Sequence, residues 1–93
     1  MISTLQGAGQ TLIKAVNSLV NSQGGLTSGQ ANSLTSKIQA GIIQLDKGNG
    51  TAARNQFNAF IDEVTGYVNA QHLTAAQGKP LIDVANNIIA DIQ

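Results

Sequence analysis

Thr51-Ala52-Ala53-Arg54-Asn55-Gln56-Phe57-Asn58-Ala59-Phe60-Ile61-Asp62-Glu63-Val64-Thr65-Gly66-Tyr67-Val68 decides the fold. Its apolar residues stand at 53, 57, 60, 61, 64, 67 and 68. Steps of three and four put them on one side of a 3.6-residue helix, whereas a strand would alternate. Gly48-Asn49-Gly50 precedes the stretch as a stop, and Thr51 reads as the cap of a helix over about 51–71. Upstream, Ala31, Leu34, Ile38, Ile42 and Leu45 make a second stripe, over about 27–47, capped by Thr27 or Ser28. Ile2, Leu5, Leu12, Val16 and Leu19 make a third, widened by Ile13 and Val20, over about 2–22 and stopped by Gln23-Gly24-Gly25. Downstream, Thr74 caps a segment over about 74–92 with Leu81, Ala85, Ile88, Ile89 and Ile92 inward. Pro80 lies inside it and predicts a bend near Gly78-Lys79-Pro80 or a late helix start.

The four segments resemble one another in pairs at an offset of 47 to 48 residues. Val16-x-x-x-Val20-Asn21-x-Gln23 returns as Val64-x-x-x-Val68-Asn69-x-Gln71, and Leu12-Ile13 returns as Phe60-Ile61. After a one-residue deletion, Leu26-Thr27-x-x-Gln30 returns as Leu73-Thr74-x-x-Gln77, and Leu34, Ile42 and Leu45 match Leu81, Ile89 and Ile92. Turn residues match as well as apolar ones, which points to a duplicated hairpin, 1–48 and 49–93, within a single domain 1–93. One hairpin alone leaves its stripe in water. Burying a large aliphatic side chain is worth about 1.5–3 kcal/mol, so two hairpins are driven together. The expected fold is all-α, an antiparallel four-helix bundle.

Composition narrows the function. Five basic and five acidic residues give a net charge of +0, which supplies no footprint for nucleic acid or an anionic membrane. Charged residues are 11% of the chain, less than half the usual share of about 25%. Ten Gln and nine Asn carry the polarity instead, and such a neutral amide surface suits an extracellular setting. With no cysteine there is no disulfide, thiol nucleophile or zinc thiolate site. No apolar run approaches the length of a transmembrane helix, and residues 1–20 lack the pattern of a signal peptide.

Residues able to do chemistry are few and scattered. His72 stands alone in the turn before the fourth helix, with no nucleophile or orienting group beside it in any motif. Asp62 and Glu63 are neighbours, so on a helix they point roughly 100° apart and do not converge. Asp46, Asp83 and Asp91 fall singly near helix surfaces. No metal-ligand spacing or phosphate-binding glycine loop occurs, and the expectation is no catalytic residue, no metal and no cofactor. Phe57 and Phe60 read as core. Tyr67, at the stripe edge where its hydroxyl would be wet, is the one candidate ligand-binding residue. Gly41 and Gly66 sit in mid-helix at a cost of about 1 kcal/mol each, which close helix approach would offset. Asn49-Gly50-Thr51 fits the glycosylation pattern, and a turn followed by a cap explains the same residues.

The run Asn55-Gln56-Phe57-Asn58-Ala59-Phe60-Ile61-Asp62-Glu63-Val64 resembles the signature helix of the FIMAH-type domain. So do Asn32-Ser33-Leu34-x-x-Lys37-Ile38 and Leu81-Ile82-x-x-Ala85-Asn86-x-Ile88-Ile89. The resemblance covers about residues 26–92 and leaves the first helix as an addition. It implies a short helical accessory module from near the C-terminus of a large secreted or cell-surface bacterial protein and defines no ligand; the expected partner of such a module is a protein, an envelope component or a polysaccharide. It carries over no set of binding residues. The alternative is a free-standing helical protein that self-associates into homo-oligomers, since zero net charge removes repulsion between copies.

Overall fold

Turn chemistry decides where the helices begin and end. In the computed structural model they are α1 (Ile2–Val20), α2 (Ser28–Asp46), α3 (Gly50–Asn69) and α4 (Ala75–Asp91). The structure describes residues 2–20 and 25–92, with side chains from residue 7 onward. The side chains of Ile2 and Leu5, expected to face inward, are not among those described, and the stop at Gln23-Gly24, the repeat partners Asn21 and Gln23, and the first helix's end at 22 lie outside the described residues. Among the described residues no strand occurs.

Thr27 caps α2 with a reciprocal pair of bonds. Its hydroxyl oxygen accepts from Gln30 N at 3.1 Å, while Gln30 Oε1 accepts from Thr27 N at 3.0 Å. Thr74 and Gln77 repeat the arrangement on α4 at 3.0 and 2.9 Å. Leu26 and Leu73, just before these caps, are both buried. The expected cap of α3 is corrected: Asn49, not Thr51, holds that position, and its Oδ1 accepts from Ala52 N at 3.2 Å. The reason is the preceding turn. Gly48 takes φ +77, its N–H bonds Leu45 O at 3.0 Å, and Asn49 N–H bonds Gln44 O at 2.8 Å. That double closure reverses the chain within two residues and leaves Asn49 at the helix mouth.

Of the two outcomes expected at Pro80, a bend or a late helix start, the late start does not occur. α4 begins at Ala75, more than a turn ahead of Pro80, and is continuous through it. Pro80 and Ala76 both face solvent, so the carbonyl deprived of its N–H partner is open to water.

α1 packs on α2, α2 on α3, α3 on α4, and α1 closes on α4; the diagonal pairs make no close backbone approach. Neighbours are antiparallel. Gly9, early in α1, lies against Ile42, late in α2, and Gly78, early in α4, lies against Val68, late in α3. Phe57, Phe60, Leu12, Leu34, Ile38, Ile88, Val16 and Val64 are the largest fully buried side chains. No described buried residue is polar or charged.

The mid-helix glycines divide. A Cβ on Gly41 would lie 2.7 Å from Phe57 Cε2 and 2.9 Å from Phe57 Cζ, so α2 and α3 approach as closely as they do because position 41 has no side chain. Gly66 departs from the same expectation: it is exposed, and nothing lies within 4 Å of the Cβ site. Gly41→Ala should therefore destabilise by about 1–3 kcal/mol through overpacking against an immobile ring. Gly66→Ala should stabilise by up to about 1 kcal/mol through helix propensity. Urea denaturation of both variants measures the opposite signs.

Candidate functional site

A helix presents residues four apart on one face. On α2 that spacing aligns Ser33 with Lys37, and on α3 it aligns Glu63 with Tyr67. Packing of α2 on α3 brings the two pairs together. Glu63 Oε1 accepts from Lys37 Nζ at 2.6 Å and from Ser33 Oγ at 3.0 Å. Lys37 Nζ also donates to Ser33 Oγ at 3.3 Å. The Tyr67 hydroxyl donates to Glu63 Oε2. One carboxylate thus receives three side-chain donors at the edge of the core, with Glu63 15% and Lys37 31% exposed.

Tyr67 also belongs to the turn that follows α3. Its carbonyl accepts from His72 N at 2.8 Å, and Gln71 N–H bonds Val68 O at 3.0 Å, with Gln71 at φ 67. This is the closure seen at Gly48, here with a non-glycine residue in the left-handed region. Such turns bring together the residues that now hold Tyr67 and His72. Their rings meet edge to face, centroids 6.1 Å apart and planes at 85°. His72 is exposed and Tyr67 half-buried. Tyr67 therefore forms a corner, held by Glu63 at its hydroxyl and flanked by imidazole.

The electrostatics fix both acids. Burial raises the Glu63 carboxyl, but the hydrogen bonds from Lys37, Tyr67 and Ser33 and the Lys37 charge outweigh it, and the net direction is downward. Burial, then the Glu63 hydrogen bond and charge, push the Tyr67 phenol up to about 12. At neutral pH the carboxylate stays ionised and the phenol protonated. That pairing suits a fixed hydrogen-bonding corner better than proton exchange.

The other candidates are not brought together. Asp62 is exposed on the outer face of α3, Asp46 and Asp91 are exposed at helix ends, and Asp83 pairs on the surface with Lys79 at 3.3 Å. Among the described residues no three His, Asp or Glu gather where a metal could sit. A shallow groove of about 260 Å³ runs between α3 and α4, lined by Thr65, Val68, Ala75, Lys79, Ile82 and Asp83. Sequence reading names Tyr67 as a candidate contact, treats His72 as a lone turn residue and gives no role to Ser33, Lys37 or Glu63. The available signal was two polar pairs at four-residue spacing beside apolar stripes.

The family model of the FIMAH domain matches residues 10–90. No curated protein and no solved structure matches the chain. The match begins inside α1, so the first helix, from Gln10 onward, lies within the matched region and is not an addition to it.

Stability should fall at both ends of the pH scale. Glu63 is depressed on folding, so its contribution is complete above the ordinary carboxylate range and is lost as pH falls through its lowered value. Tyr67 is raised on folding, so its contribution is complete below its ordinary 10.0 and is lost as pH rises towards about 12. Denaturation midpoints against pH should show both limbs. Tyr67→Phe should flatten the alkaline one, and Glu63→Ala should cost about 1–3 kcal/mol at neutral pH, where Asp62→Ala costs under about 0.5.

Proposed function

This chain belongs to the FIMAH domain family, and from that premise we propose that it is a non-catalytic accessory module of a larger secreted or cell-surface bacterial protein, binding a protein or polysaccharide of the cell envelope. The family points towards a surface-associated parent. The chemistry agrees in kind. The surface is amide-rich with net charge +0, so recognition runs through hydrogen bonds and contact area more than through long-range attraction. Among the described residues no helix is long and apolar enough to cross a membrane.

The observation that carries a contact site is the placement of Tyr67. It is the aromatic residue outside the buried core, held in one orientation by Glu63 and His72. A ring already ordered loses little entropy on binding, and tyrosine offers both an apolar face and a polar rim. Ser33, Lys37 and Glu63 supply hydrogen-bonding groups beside it. The paired capping boxes and the buried Leu26 and Leu73 support descent from a duplicated hairpin within one domain.

Self-association has less behind it. Among the described residues Ile43, at 51% exposure, is the one large apolar side chain open to solvent. A stable dimer needs a broader apolar patch. Light scattering over a concentration series is expected to show one species.

The test is retention of the labelled chain on purified bacterial envelope polysaccharide and on envelope proteins, with Tyr67→Ala alongside. The parent chain should be retained, and Tyr67→Ala should weaken binding by roughly tenfold or more while keeping its helical circular dichroism. Equal retention of both chains removes Tyr67 from the site, and no retention of either removes the envelope-binding reading.

A further inference from the structure

The joint between α2 and α3 is built on a chemically labile pair. Of nine asparagines, Asn49 alone precedes a glycine. Cyclisation of an asparagine requires the next main-chain nitrogen to reach the side-chain carbonyl carbon. A Cβ on that next residue crowds the approach, and Gly50 has none. Asn49 is exposed and lies outside helical geometry at φ −99, ψ 80. Gly50 is the first residue of α3, so its N–H stands outside the intrahelical ladder and attack by that nitrogen breaks no helix bond. Other asparagines of the described helix interiors precede residues whose N–H groups are tied into a ladder, and Asn69 precedes Ala70, whose N–H bonds Gly66 O at 2.9 Å.

We propose that Asn49–Gly50 is a self-modification site, at which the chain slowly converts its own α3 cap into aspartate and isoaspartate. Hydroxide removes the Gly50 amide proton, and the nitrogen bonds to Asn49 Cγ. The Cγ–Nδ2 bond breaks, and Nδ2 leaves as ammonia with a proton from water. Water then opens the five-membered imide. Opening at Cγ restores the ordinary main chain with aspartate at 49. Opening at the main-chain carbonyl routes the chain through Cβ and Cγ as isoaspartate. Nothing is oxidised or reduced, and each event adds one negative charge to a chain of net charge +0.

The two products act differently on the fold. Aspartate still accepts from Ala52 N, and its charge suits a helix N-terminus. Isoaspartate adds one carbon between Asn49 Cα and Gly50 N, beside the Asn49 N–H that donates to Gln44 O at 2.8 Å, and turns the Asn49 carbonyl that accepts from Ala53 N at 3.1 Å into a branching carboxylate. It therefore loosens the reversal that joins the two hairpins. Folding restrains the reaction, because the Ala52 N–H holds Oδ1 and the turn holds the main chain.

The experiment is incubation of the full chain at mildly alkaline pH, folded and in urea, followed by peptide mapping that separates aspartate from isoaspartate. Position 49 should convert first, to both products, and severalfold faster in urea than folded. Gly50→Ala should slow conversion severalfold in both conditions. Asn49→Asp should match the parent in urea midpoint, whereas the isolated isoaspartate form should unfold earlier. Conversion spread evenly over the asparagines, or an unchanged rate in Gly50→Ala, overturns the proposal.

Discussion

Phe57 lying fully buried over the bare backbone of Gly41 is the contact on which the rest of the bundle depends. It sets how near α2 comes to α3. With that distance set, Leu34, Ile38, Phe60 and Val64 are buried in one interior where no described buried residue is polar. Each large side chain hidden there is worth about 1.5–3 kcal/mol against exposure. None of the four stripes is covered by its own hairpin alone, because α1 also closes on α4. Helix formation and assembly are therefore one event, since most helical stability in a protein comes from packing of the amphipathic face.

A dry core tolerates sliding of one helix along another, since apolar surface is non-directional. Glu63 restores direction. Its carboxylate takes Lys37 and Ser33 from α2 and Tyr67 from its own helix, so a slip in the α2–α3 register strips a half-buried charge of its cation and leaves it only the Tyr67 hydroxyl. The same bonds orient Tyr67, and the turn after α3 sets His72 against it. One device thus serves both register and the proposed contact corner.

The apolar stripes, two of the three described caps and the family resemblance were legible from residue order, because each is a local pattern. Residue order does not separate Asn49 from Thr51, both good caps by residue type, because the cap depends on where the Gly48 turn ends. Gly41 and Gly66 look alike in sequence, yet only packing separates a glycine against a ring from one facing water. Lys37 and Glu63 are 26 residues apart, and their meeting follows from interhelical register, which no local pattern encodes. Tyr67 was singled out by exclusion from the core, but its anchoring by Glu63 was not visible for the same reason.

Cutting the chain at the α2–α3 turn addresses mutual covering directly. Far-ultraviolet circular dichroism of residues 1–48 and 49–93, recorded separately and then mixed, compares each hairpin with the whole. Mutual covering requires weak helicity for each half alone, recovery on mixing, and a single cooperative unfolding transition for the intact chain. Full helicity of either half as a monomer would contradict it, because one hairpin would then be keeping water from its own stripe.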